Sequence, residues 1–151
     1  MVDLWKLVID YYYSPHAKGS TSLKKILPAA INDSSFLKNK YSNPICGKTK
    51  EVTSLNFDSK IWIDHKYDND PYKTLPPVFE NYSRNELDEM FDDMNELADG
   101  GAAMMAYAKL QFFDTNISQR IDIKEALFRY CELDTLAMVM LWEFWNNEIN
   151  N

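Results

Sequence analysis

The stretch 121–145, IDIKEALFRYCELDTLAMVMLWEFW, constrains the fold more than any other part of the chain. Ile123, Leu127, Tyr130, Ala137, Leu141 and Trp145 recur at steps of three, four or their sums, which places them in one stripe of a long helix. Lys124, Glu125, Glu132, Thr135, Glu143 and Asn146 fall on the opposite face. Asp134 breaks the pattern, because it sits inside the apolar stripe. A carboxylate on the buried side of an amphipathic helix must be paired, protonated or metal-bound, since an isolated buried charge is very costly. Asp134 is therefore the first residue to ask about function.

Composition narrows the classes. A chain of 151 residues fits one domain with a substantial core. The 16 basic against 23 acidic residues give a net charge of −7, a poor balance for holding nucleic acid unaided. Cys46 and Cys131 lie far apart and have no partners at metal-ligand spacing, which predicts a reduced, cytoplasmic setting. The start, MVDLWK, has no basic segment followed by an apolar run, and the longest apolar run, 136–142, is too short to span a bilayer.

Taken in order, residues 3–14 predict a helix capped by Asp3, with Leu4, Leu7, Val8, Tyr11 and Tyr12 on its apolar side and Ser14-Pro15 as its stop. A second helix is expected over 22–31, capped by Ser20 or Thr21 and kinked or shortened by Pro28, and a short one over 34–40. Residues 41–84 change texture. Four prolines and many Asn and Asp predict a partly structured surface insertion, with short strands or a hairpin at 52–57 and 60–63 and a turn at Asp68-Asn69-Asp70-Pro71. Residues 85–113 read as helical, with a break at Asp99-Gly100-Gly101.

Several patterns favour a plain reading. Gly47-Lys48-Thr49 lacks the earlier glycine of a phosphate loop. Asp64, His65, Asp68 and Asp70 do not make a calcium loop and read as a solvated acidic loop. Cys131 reads as a small core residue, and Trp142, Phe144 and Trp145 as core or interface. Tyr130 and Asp134 stand one helical turn apart on one face. Two-metal phosphodiester cleavage requires carboxylates converging on divalent ions, and a tyrosine beside such an aspartate can hold the attacking water. Spacing alone says little, because Tyr, three residues and Asp is common in helices. The plain reading makes Tyr130 a core aromatic and pairs Asp134 with a neighbouring group.

Three blocks carry a family resemblance: VDLWKLVIDYYYSPHAKGSTSLKKILPA at 2–29, ADGGAAMMAYAKL at 98–110 and LFRYCELDTLAMVMLWE at 127–143. In this order they resemble the C-terminal part of the family catalogued as domain of unknown function 2779, which is similar to proofreading-type exonucleases of the ribonuclease H-like fold. The resemblance implies a mostly α chain, the C-terminal helical portion of an α/β ribonuclease H-like fold, forming a single partial domain over 1–151. It implies that Asp134 binds metal, Mg2+ or Mn2+, and that Tyr130 orients the nucleophilic water. The family's other acidic motifs and central strands would lie upstream of Met1. The expectation is thus a nuclease-related part that is inactive alone and completed by a separately encoded N-terminal half, with DNA or RNA bound only by the whole. A different class remains open, a non-enzymatic helical module that binds a protein or a second copy of itself. A third option lets Asp99 or the acidic loop complete a metal site with Asp134.

Overall fold

A computed structural model describes residues 3–44, 53–76, 107–108, 110–111 and 117–150. Two compact units divide the chain, Met1–Thr74 with Glu132–Asn151, and Leu75–Cys131. The expected helical content is present, and no strand occurs among the described residues. The cysteine Cys46, the Gly47-Lys48-Thr49 turn, the Asp99-Gly100-Gly101 break and most of the 85–113 segment lie outside them.

In the first unit, α1 spans Leu4–Tyr11. Asp3 caps it as expected, accepting from the amides of Trp5 at 3.0 Å and Lys6 at 3.3 Å. Such a cap contributes roughly 1 kcal/mol. The helix ends before Ser14-Pro15, at an extended Tyr12. A 3-10 turn at Pro15–Ala17 follows, and the chain reverses through Lys18 and Gly19, both at positive φ. The turn needs this geometry, and glycine takes it without strain.

Helix α2 spans Leu23–Asp33, longer than expected, with Ser22 at its N-cap. Pro28 lies inside it without ending it. Proline's missing N–H costs one helical bond, but the flanking side chains Leu27, Ala29, Ala30 and Ile31 are completely buried and hold the segment helical. Ser34 then caps α3, Ser35–Tyr41, through the Leu37 amide at 3.2 Å.

The expected strands at 52–57 and 60–63 do not form among the described residues, which run through bends and turns. The reason is local. The Ser54 hydroxyl accepts from the amides of Asn56 and Phe57, and the Glu132 carboxylate accepts from those of Leu55 and Asn56. Those N–H groups are no longer available to a β ladder. The segment also packs side chains of its own, with Trp62, Ile63 and Pro71 buried. The predicted turn is present, with Asp68 and Asn69 both left-handed ahead of a 3-10 helix at Pro71–Thr74.

Helix α4 runs from Ile117 to Asn150. It belongs to the second unit up to Cys131 and to the first from Glu132. Its buried residues are Ile123, Ala126, Leu133, Ala137, Met140, Leu141 and Phe144. The stripe is therefore displaced from the expected one: Leu127, Tyr130 and Trp145 flank it, half-buried. The face assigned to solvent is partly covered as well. Glu143 takes the ammonium of Lys40 and, at 2.8 Å, the hydroxyl of Tyr41. Cys131, expected in the core, is exposed.

Candidate functional site

Asp134 lies in the part of α4 that belongs to the first unit, next to the fully buried Leu133. It is half-buried, and it has a partner: the Tyr72 hydroxyl donates to Oδ1 at 3.0 Å. Its Oδ2 accepts no hydrogen bond among the described residues. This meets the demand that a carboxylate beside a core be satisfied. Tyr72 reaches it from the 3-10 helix at Pro71–Thr74, whose start is fixed by Asp70 Oδ1 accepting from the Tyr72 amide at 3.0 Å.

Tyr130 is on the same helix, half-buried, in the part belonging to the second unit. Helical spacing alone relates it to Asp134. Glu132, between them in sequence, holds a loop: it accepts from the Leu55 amide at 3.0 Å, the Asn56 amide at 3.1 Å and the Asn56 side-chain amide at 2.6 Å. This tether was not expected from the sequence, because its donors come from a segment without periodicity.

The acidic loop does not converge on Asp134. Asp64 caps the 3-10 turn at His65–Tyr67 through the Lys66 amide, and Asp68 pairs with Lys73 at 2.6 Å. Asp70 is half-buried, and loss of hydration pushes its carboxyl above the usual range, opposed by the Tyr72 amide and by Lys73 and Lys25. Among the described residues no three His, Cys, Asp or Glu side chains form a group that could hold a metal ion. Asp99 lies outside them. A carboxylate is a hard oxygen donor of the kind Mg2+ and Mn2+ take, but Asp134 by itself does not make up the ligand set of either ion.

Lys60 forms a second polar feature. Its ammonium donates to the Thr74 carbonyl at 2.6 Å and stands 4.8 Å from the Phe57 ring and 5.6 Å from the Trp62 ring. Burial lowers its pKa, and the two aromatic faces and the carbonyl keep the cation in place.

Tyr12, Asp33 and His16 form a third. The Tyr12 hydroxyl donates to Asp33 at 2.7 Å, and His16 Nε2 lies 3.8 Å from the other Asp33 oxygen. The Tyr12 ring packs edge-on against Phe144 and Trp145. Desolvation, then Asp33, raises its pKa.

Large apolar side chains remain in solvent. Trp5 and Ile9 share a face of α1, and Met138 and Trp142 share one of α4, with Trp142 56% exposed. No helix among the described residues is long and apolar enough to cross a membrane. No family model, curated protein or solved structure matches the chain.

Proposed function

We propose that this chain is the helical, C-terminal portion of a ribonuclease H-like, metal-dependent nuclease, in which Asp134 is one carboxylate ligand of Mg2+ or Mn2+. The observation that carries the reading is the state of Asp134: half-buried on a helix, one oxygen engaged by Tyr72, the other without a hydrogen bond among the described residues. Tyr130, four positions earlier on α4, is the residue to which the resemblance gives the nucleophilic water. A divalent ion there would polarise a phosphodiester oxygen and activate bound water. One aspartate does not hold two ions, so hydrolysis of DNA or RNA requires carboxylates from a part outside these 151 residues. The exposed Trp5, Ile9, Met138 and Trp142 are apolar surface that such a part would cover.

The test is calorimetric titration of Mn2+ into the purified chain and into Asp134→Asn. Binding in the first and not in the second supports the reading. Mn2+ binding that Asp134→Asn leaves unchanged overturns Asp134 as the ligand, and a folded chain that binds no Mn2+ makes Asp134 a structural residue here and gives the lead to an interaction role.

A second reading rests on the same exposed side chains, of which Trp142 is the largest on α4. It makes the chain a non-enzymatic module that binds a protein or a second copy of itself. Concentration-dependent sedimentation that Trp142→Ser abolishes, in a chain without Mn2+ binding, selects it.

A further inference from the structure

Helix α4 is apolar on two opposite faces. One buries Ile123, Leu133, Ala137, Met140 and Phe144. The other stays in solvent. In the part of α4 that belongs to the second unit it presents Ile117, Ile121 and Phe128, with Lys124 and Cys131 exposed in the same row. In the part that belongs to the first unit it presents Met138, Trp142 and Ile149 after an exposed Thr135, and half-buried Trp145 keeps the spacing. Ile117 and Ile149, at the two ends, are each 80% exposed. Steps along this row alternate four and three residues, sustained over roughly four heptads. A seam that meets a second helix keeps that period, because it returns each side chain to the partner's side.

We propose that α4 pairs antiparallel with α4 of a second copy of this chain, through the seam from Ile117 to Ile149. The inference rests on the reading of the exposed apolar side chains as a binding surface, and it names the occupant. Charge selects that occupant and its direction. Residues 117–131 hold three basic and two acidic side chains, whereas residues 132–150 hold four acidic and no basic ones. An antiparallel copy sets each half against the other kind and opposes the helix dipoles. The register that matches the seam end to end brings Ile117 opposite Ile149, Lys124 opposite Trp142 and Phe128 opposite Met138 of the second copy. The Lys124 ammonium already stands 5.5 Å from the Phe128 ring, and Trp142 of the second copy gives it another aromatic face. Met138 on Phe128 is a favourable sulfur–aromatic contact. Exposed Arg120 falls beside Glu148 of the second copy. A parallel pair in register sets Lys124 on Lys124 and loses these contacts. Glu132 and Asp134 meet their own copies near the two-fold axis, but each is held within its chain, by Leu55 and Asn56 and by Tyr72.

The experiment sediments the full chain over a concentration series, beside Trp142→Ser and Lys124→Glu, with circular dichroism to follow folding. A third variant combines Ile117→Cys and Ile149→Cys with Cys46→Ser and Cys131→Ser. The expected result is a dimer of the unaltered chain that Trp142→Ser abolishes and Lys124→Glu weakens about 10-fold. Oxidation of the third variant should link position 117 of one copy to position 149 of the other, read by mass spectrometry of the joined peptides. These positions stand about 48 Å apart along one helix, too far to bridge within a copy. Links of 117 to 117 and of 149 to 149 overturn the antiparallel arrangement. A dimer that Trp142→Ser and Lys124→Glu leave unchanged overturns α4 as its seam. A folded chain that stays monomeric at every concentration overturns the inference and leaves the apolar surface to a different protein, so the reading it rests on survives.

Discussion

Within one compact unit, residues 4–41 and residues 53–74 are held by different forces. The first region is three α-helices with short caps and an apolar interior that includes Val8, Ile26, Leu27, Ile31 and Leu37. The second has no α-helix, and its buried side chains are Trp62, Ile63 and Pro71. Its backbone is fixed instead by polar groups, Ser54, Asp64 and Asp70 within the segment and Glu132 from α4, while Asp134 of α4 takes the Tyr72 hydroxyl. Burial is non-directional and roughly additive in area. A hydrogen bond to a carboxylate is directional, and its loss is felt where it was made. The helical region should therefore respond to damage as a whole, and the irregular segment piece by piece.

The largest effect tests the helical side. Leu27 is completely buried in α2, so Leu27→Ala should destabilise the whole unit by about 3 kcal/mol through lost burial and a residual cavity. Chemical denaturation should show the midpoint falling for every probe together. A loss below about 1 kcal/mol would mean the site collapses around the smaller residue and the helical core is looser than described.

The irregular side is tested by Glu132→Ala, which removes the acceptor of three hydrogen bonds to Leu55 and Asn56. Bonds to a charged group contribute about 1.5–3 kcal/mol each in net terms, but these three share one carboxylate at a partly exposed site, so local opening should become easier by about 2 kcal/mol. Hydrogen exchange at the Leu55 and Asn56 amides should accelerate while the amides of α2 keep their protection. Equal acceleration in both would break the contrast, making the tether part of the global fold.

The same contrast explains which features could be read from the sequence. Helix α1 followed from apolar spacing and from Asp3, because a helix and its cap are encoded within a few residues, and α3 was expected over 34–40 without its Ser34 cap being named. Helix α2 ran past its proline because buried neighbours outweighed the lost bond, a matter of packing that no local pattern reports. The strands at 52–63 were misjudged because the group that claims the Leu55 amide lies 77 positions away. Asp134 stood out as an acid among apolar residues, yet Tyr72 was invisible as its partner for the same reason. On α4 the stripe was displaced because Glu132 and Glu143 are themselves partly covered, which blurs the polar side of the period.

A smaller effect lies at the junction of α1, α2 and the end of α4. Tyr12→Phe removes the bond to Asp33 and should cost at most about 1 kcal/mol at neutral pH, since the contact is exposed. The alkaline limb carries the sign. Tyr12 has its pKa raised above the ordinary value of 10.0, so its contribution is complete below that value and is lost as the pH rises through the folded-state one. The unaltered chain should lose stability above pH 10 with a slope that Tyr12→Phe reduces. An unchanged slope would assign the loss to other groups.

The smallest expected effect sharpens the comparison most, because it concerns what a polar framework costs. In the helical region the buried polar side chains are Ser14 and Ser34, which are neutral and serve as caps. The irregular segment half-buries a carboxylate, Asp70, to fix the turn that carries Tyr72, whereas a half-buried charge of the helical region, Lys40, meets the Glu143 carboxylate. Lost hydration raises the pKa of Asp70 above 3.8, so between 3.8 and the raised value the folded chain holds more protons than the unfolded one. Stability therefore falls as pH rises through that window and stays lower at neutral pH. Asp70→Asn retains an oxygen for the Tyr72 amide and removes the charge. It should raise the stability slightly at pH 7, by no more than about 0.5 kcal/mol because much of the group remains solvated. The gain should vanish below pH 3, where the carboxyl is neutral in both states. A variant less stable than the parent at pH 7 would show that attraction to Lys73 and Lys25 outweighs the lost hydration. The charge would then support the turn, and a polar framework would carry no electrostatic penalty relative to the helices.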